Sequence, residues 1–224
     1  MSFLNDLKRQ AASIQTPDAS DPEVRDRNAR LANGACRVTR DYWKELADQL
    51  NLIRPPSGAR YLLDGRRPIE ELHCANFRVI PVSRHDHSGE EHFESVVLAW
   101  QAVSARRVRI EKDFPNEIER VRAALRQAGI QAHEAPVRNV STGRTVGTAF
   151  DFNAEVAASI RLVPLPETGR VRLIFTNIDQ LERVEAEFPA VAMRLQQLDD
   201  IGRWIVGQPN RVLEFASDVR RFSP

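Results

Sequence analysis

The densest group of potential metal ligands lies in one polar segment, His85 to His92. His85 and His87 are two residues apart, so an extended chain would turn both imidazoles to the same side. The segment also contains four further potential ligands: Asp86, Glu90, Glu91 and His92. Two imidazoles and a carboxylate form a ligand set that suits zinc or nickel. One hypothesis is therefore a metal-dependent or hydrolytic enzyme that uses the His85–His92 loop together with His73.

The same composition is typical of a solvated hairpin tip. The stretch Ser83–Glu91 contains glycine, serines and several charges, and it offers no packing residue that would hold ligands still. A tight metal site needs three or four ligands on a rigid support. We therefore expect no stoichiometric metal and no cofactor. We expect His85 and His87 to be exposed at a mobile hairpin tip, with His92 as a further metal candidate of the alternative hypothesis.

Other residues that could carry chemistry form weaker patterns. His73 and Cys74 are adjacent, so on a strand their side chains point to opposite faces. Cys36 falls in an apolar helical stripe, where a cysteine acts as a small hydrophobe. Asp200 and Trp204 are four residues apart on a predicted helix and could line one pocket. None of these patterns assigns a catalytic residue.

Length and composition limit the class of protein. A chain of 224 residues that is 42% apolar and 28% charged can bury a core, which rules out a mostly disordered protein. No apolar run reaches the length of a membrane span, and the first residues lack the pattern of a secretory signal. Two cysteines cannot build a disulfide framework. These features predict a cytoplasmic protein without a membrane partner.

Helical periodicity predicts an N-terminal helical segment over residues 1–56. A short amphipathic helix repeats apolar residues from Phe3 to Ile14, and Ser20–Glu23 has the pattern of a capping box. A long helix follows over about residues 21–52. Its predicted core face consists of Leu31, Ala32, Ala35, Cys36, Val38, Tyr42, Trp43, Leu46, Ala47 and Leu50. A stripe of this width predicts packing against a sheet rather than in a coiled coil.

From residue 57 the apolar period changes to two, which is typical of strands. The predicted strands are Arg60–Leu63, Asn76–Ser83, Ser95–Val103, Arg107–Asp113, Gln131–Asn139, Thr145–Phe152, Glu155–Val163, Arg170–Thr176 and Leu181–Glu187. Helices are predicted over about residues 115–128, with Gly129 as a left-handed cap, and over about residues 189–206. The predicted organisation is a first β-α unit (57–130), a second unit (131–207) and a C-terminal short helix or tail (208–224), all in one compact domain.

A heptapeptide recurs 74 residues along the chain. Arg109–Pro115 (RIEKDFP) matches Arg183–Pro189 (RVEAEFP) at four of seven positions. Both copies are expected to bury their phenylalanine and to open a helix with proline at the first helical position. The match predicts two pseudo-repeated β-β-β-α units, at about residues 76–129 and 150–207. The predicted fold class is therefore α+β, with a largely antiparallel sheet, helices on one face and a long N-terminal helix.

The exposed face of this predicted sheet carries charges of both signs: Arg109, Arg161, Arg172 and Arg183 against Glu111, Asp113, Glu155, Glu185 and Glu187. Two such units are similar in outline to the saddle of the TATA-box-binding protein, but a surface that neutralises phosphates should be decidedly basic. A nucleic-acid-associated protein is therefore the third hypothesis. The leading hypothesis is a non-catalytic bacterial binding or interaction protein of unknown ligand. It would self-associate or bind a protein partner.

Overall fold

The computed structural model describes residues 22–66 and 68–222. In chain order its helices and strands are α1 (Pro22–Ile53), β1 (His73–His85), β2 (Glu91–Lys112), α2 (Pro115–Ala128), β3 (His133–Arg138), β4 (Thr145–Leu165), β5 (Arg170–Thr176), β6 (Arg183–Pro189), α3 (Leu195–Ile205) and β7 (Ser217–Phe222). Short 3-10 turns over Ala190–Ala192 and Val212–Phe215 flank α3. The predicted helix from Phe3 to Ile14 and the predicted cap at Ser20 lie outside the described residues.

The strands form one antiparallel sheet in the order β1-β2-β4-β5-β6-β7, and β3 also pairs with β4. Strand β4 pairs with β2 along one edge. Along its other edge it pairs first with β3 and then, after a gap, with β5. The sheet therefore forks at β4. The predicted α+β class, with its antiparallel sheet and long N-terminal helix, is confirmed.

Four of the predicted strands are joined in pairs to form two long strands. Strand β2 joins the predicted segments 95–103 and 107–113, and β4 joins 145–152 and 155–163. The register of β2 against β4 shifts between Val103 and Arg107, and such a bulge interrupts the alternation of apolar residues. The predicted strand Arg60–Leu63 is wrong. These residues form an irregular connection that buries Tyr61 and Leu63, an alternation that resembles a strand.

The predicted helices are confirmed in part. Helix α2 has the predicted bounds, and Gly129 caps it with a left-handed φ of 70°. The predicted core face of α1 is wrong at Val38, whose side chain is 51% exposed, while the neighbouring Thr39 is buried. The predicted last helix is also wrong, because residues 212–215 form a 3-10 turn and strand β7 follows.

The two copies of the heptapeptide continue differently. Pro115 is the first residue of α2, as predicted, but Pro189 is the last residue of β6, and α3 begins only at Leu195. Phe188 is buried as predicted, whereas the prediction for Phe114 is wrong, since its side chain is 65% exposed. The first unit also has two strands before its helix rather than three. Common ancestry of the two units stays a prediction.

The described helices cover one face of the sheet. Alternate residues of β4 from Phe150 to Leu162 are buried in two adjoining apolar clusters. One cluster lies beneath α1 and α3, and the other lies beneath α2. Because side chains alternate along a strand, the intervening residues of each strand point to the opposite face. The described helices leave that opposite face open except at the fork of β4, where Gln127 in the last turn of α2 reaches it. It is called the uncovered face below.

Candidate functional site

The β1–β2 hairpin tip brings together Asp86, Glu90 and His92, whose potential ligand atoms all lie within 4.8 Å of one another. His85 and His87, the candidates that the sequence spacing favoured, are exposed and are not part of this group. The structure therefore brings one of the three candidate histidines to a cluster of acids.

The hydrogen bonds of Asp86 explain why these residues are close. Its Oδ1 accepts bonds from the Ser88 hydroxyl (2.6 Å), the Ser88 N–H (2.8 Å) and the Glu90 N–H (3.0 Å), and its Oδ2 lies 3.0 Å from His92 Nε2. The Ser88 hydroxyl and then His92 hold the pKa of Asp86 well below its usual range. These contacts close a tight turn without any metal. That the protein binds no stoichiometric metal stays a prediction.

The other sequence candidates do not form a reactive site in the described part of the chain. Burial raises the pKa of the Cys36 thiol to about 12, and it also raises the pKa of the Cys74 thiol, so both favour the unreactive protonated form. Asp200 and Trp204, which could have lined one pocket, have separate partners. Trp204 packs against Phe175, with ring centroids 4.7 Å apart, and Asp200 instead faces Arg203 at 3.3 Å.

A groove lies on the uncovered face, across β1, β2, β4 and β5. Its volume is about 450 Å³. The side chains that pave it are small: Val97, Ala99, Ala157 and Ser159. In the sheet register Arg78 of β1 pairs with Ala99, and Ala99 pairs with Ser159 of β4. Short side chains in the middle of a sheet with longer ones around them leave a depression, which is why the groove forms here.

Two arginines next to the groove have no partner in the described part of the chain. Arg78 lines it, and Arg161, which pairs in register with Val97, lies two residues from Ser159. Neither guanidinium forms an ion pair or hydrogen bond with any residue that the structure describes. Most other charges of the uncovered face are paired within it, through these bridges: Arg109 with Glu111 and Asp151, Arg172 with Glu187, and Arg183 with Glu185. Glu155, two residues from Ala157 on the same face, is also unpaired among the described residues. The uncompensated charge around the groove is therefore two arginines against one glutamate, which is net positive.

Asn177 lines the same groove at the fork of the sheet. Its side-chain N–H group donates to the carbonyl oxygens of Ala157 and Gln127, both at 2.9 Å, in the gap between β3 and β5 along one edge of β4. The residue is 1% exposed, and its φ of 53° turns the chain away from β5. Its Oδ1 has no hydrogen-bond partner among the described residues. A buried acceptor without a partner costs free energy, but this atom is too deeply buried to contact a ligand in the groove directly.

Apolar side chains extend from the groove toward the β4–β5 hairpin. They alternate with the buried residues of their strands and so share the uncovered face: Ile80, Val82, Val97, Val163 and Ile174. Ile80 and Val82 are 43% and 42% exposed, and the other three are half-buried. Ile80 and Val97 pair in register, and Val163 is a diagonal neighbour of both Val97 and Ile174. Arg161 lies between Val97 and Ile174, so these side chains form an apolar patch that contains this arginine.

Sequence reasoning missed this site for two reasons. It counted the charges of the exposed face without knowing which were paired, and it omitted Arg78. Pairing across strands depends on register, which a single sequence does not display. One local signal was present, since Arg109 and Glu111, like Arg183 and Glu185, are two residues apart on one strand face and therefore adjacent.

Comparison with known proteins finds no matching family model, no similar curated protein and no similar solved structure. Among the described helices, none combines the length and the apolar character that crossing a bilayer requires.

Proposed function

We propose that the protein is a non-catalytic binding protein and that a second, different protein docks on the uncovered face of its sheet. The observation that carries this proposal is the one-sided covering of the sheet. All three described helices pack on one face, and the other face presents an apolar patch around Arg161. Exposed apolar patches rimmed by polar residues are typical of protein interfaces.

The free edge of β1 supports docking on the face rather than by strand addition. The Asn51 side chain bonds both the N–H and the carbonyl of Phe77, at 2.8 and 2.9 Å. Pro81 is four residues further on, so its missing N–H belongs to the same outer edge. A capped residue and a proline are devices that block pairing with another strand.

The charge pattern favours a protein over a nucleic acid as the partner. Glu185 and Glu187 lie on the uncovered face with the arginines that they pair. A phosphate backbone approaching these arginines would have to displace carboxylates that already neutralise them. A protein surface makes no such demand, because apolar contact supplies most of its affinity.

Site-specific crosslinking tests the proposal. Photoreactive p-benzoylphenylalanine in place of Val97, in the full chain expressed in the cells that encode it, should give one discrete crosslinked product with a different polypeptide. The matched control places the same group at Lys44, which is exposed on the outer side of α1. Ile80→Asp should remove the Val97 product. Equal labelling at both positions, no product, or a product of twice the chain mass contradicts the proposal.

The alternative hypothesis of a metal-dependent enzyme makes a separate demand. It requires about one equivalent of metal per chain after dialysis against a chelator, lost in the His92→Ala variant. Elemental analysis of the purified protein measures this directly. We expect much less than one equivalent.

A further inference from the structure

We propose that the groove binds an acidic segment of the partner protein in an extended conformation, with two of its carboxylates on Arg78 and Arg161. This inference rests on the proposed function, because it names the chemistry that the partner presents to the same face. The site on the uncovered face is the groove, and the class of ligand is an acidic peptide segment.

The positions of the two arginines suit an extended peptide. Arg78 is two strands away from Ser159, and Arg161 is two residues beyond Ser159 on the same face. Strand spacing and residue rise place the two Cα atoms about 12 Å apart. Carboxylates on alternate residues of an extended chain are about 7 Å apart. Two arginine side chains that lean toward the groove can therefore reach both of them, each through a two-pronged guanidinium–carboxylate contact.

The walls of the groove offer further contacts that a peptide backbone can use. The hydroxyls of Ser159 and Thr176, which pair in register, line the groove and make no hydrogen bond with described residues. The oxygens of these two hydroxyls can accept from a peptide N–H, which a bare anion cannot supply, whereas the orphan Oδ1 of Asn177 is too deeply buried for a direct contact. A ligand that carries both carboxylates and N–H groups therefore fits better than an inorganic anion.

Two other occupants fit less well. A second copy of the chain, related by a two-fold axis through the groove, would bring Arg78 and Arg161 against the same arginines, and like charges at an interface are unfavourable. A single phosphate could be reached by both guanidinium groups, but it would fill only the space between them and leave the apolar side chains beside the groove uncovered. An extended acidic segment avoids the contact between like charges and also covers these apolar side chains.

Fluorescence anisotropy with a labelled hexaglutamate peptide tests the inference on the full chain. At low ionic strength the glutamate peptide should bind, and a hexalysine peptide should not. The double variant Arg78→Ala and Arg161→Ala should weaken binding by about tenfold or more, as loss of charge-assisted contacts does. The matched control is Arg107→Ala with Arg30→Ala, which removes the same charge from exposed positions outside the groove. It should leave the affinity within about twofold.

Absence of glutamate-peptide binding, or equal weakening by the control pair, overturns the inference. The crosslink at Val97 then separates its failure from that of the proposed function. A Val97 product that forms equally in the Arg78→Ala, Arg161→Ala variant means that a protein docks on the face without an acidic segment, so only the inference fails. Circular dichroism and the unfolding midpoint of both double variants should match those of the unmodified protein, because neither arginine pair forms a hydrogen bond or ion pair with a described residue.

Discussion

The two copies of the repeated heptapeptide end in phenylalanines with opposite surroundings. Phe188 is fully buried in the cluster beneath α1 and α3, whereas Phe114 is 65% exposed. Strand β6 continues through Pro189, so Phe188 keeps the inward direction of Val184 and Ala186. Strand β2 ends at Lys112, and Phe114 immediately precedes α2. A shared local sequence therefore specifies a strand end in both copies, but the helix that lies above it decides what is buried.

The position two residues earlier shows the same difference. Ala186 is completely buried among apolar side chains, whereas its counterpart Lys112 is buried with its ammonium 3.8 Å from Asp64 and 3.9 Å from Glu117. The first copy thus surrounds its strand end with charged groups, and the second surrounds it with a dry core. A buried ammonium is tolerated only with such partners. The two strand ends are therefore not interchangeable.

The largest effect should come from truncating the two phenylalanines separately. Phe188→Ala should lower the free energy of unfolding by about 3–5 kcal/mol, because it leaves a cavity in a close-packed cluster. Phe114→Ala should cost less than about 1 kcal/mol, because most of that side chain is in water. Chemical denaturation of both variants measures the difference. Equal losses would show that the two strand ends are packed alike.

The elements that sequence reasoning predicted well are the ones with local causes. Helix α2 has proline at its first position and Gly129 after its last, and both signals act within a few residues. Strand β5 has the predicted bounds because turn residues flank it on both sides. The apolar stripe of α1 was predicted, but Thr39 was not placed in it. Nothing in the sequence distinguishes a buried threonine from an exposed one.

The elements that were missed depend on contacts between distant segments. The bulge of β2 becomes visible only in its pairing with β4. The candidate site has the same origin, since Arg78 and Arg161 are separated by 82 other residues and become neighbours through the register of three strands. Their lack of partners is a property of that register as well. The period of the apolar residues predicts which face of a strand a residue occupies. It does not predict which residue of the neighbouring strand lies opposite.

A smaller effect should distinguish the glycines that end the helices of the two units. Gly129 and Gly207 both have φ near 70°, where a side chain costs about 1–2 kcal/mol. A Cβ at Gly207 would also lie 2.7 Å from the Cα of Gly58, whereas one at Gly129 would meet the Ala157 side chain at 3.2 Å. Gly207→Ala should therefore cost about 2–4 kcal/mol, and Gly129→Ala about 1–2 kcal/mol.

Denaturant midpoints of the two variants check this order. The control is Gly34→Ala in the middle of α1, where a Cβ would meet nothing within 4 Å. It should stabilise the protein by about 0.5–1 kcal/mol through helix propensity. A loss at Gly129 as large as that at Gly207 would mean that the Gly58–Gly207 contact contributes nothing.

The smallest effect concerns Asp179, a carboxylate of the second unit whose counterpart in the first is Ala105. Its Oδ2 accepts a bond from the Trp204 indole N–H at 2.7 Å, and partial burial of the carboxylate raises its pKa above the ordinary 3.8. A raised pKa in the folded state means that the folded protein holds this proton more tightly than the unfolded chain does. The stability that the group contributes is therefore complete below its unfolded pKa and is lost as the pH rises through the folded pKa.

Asp179→Asn keeps an acceptor for Trp204 and cannot ionise, so its unfolding free energy relative to the unmodified protein should improve from about pH 4 to neutral pH. Because Asp179 as a whole remains exposed, solvent screens the charge and keeps the change small. Urea denaturation at several pH values measures it, with Asp113→Asn at the exposed strand end of the first copy as the control. If the difference in unfolding free energy is constant with pH, or shifts in favour of the unmodified protein as the pH rises, the pKa of Asp179 is not raised in the folded state.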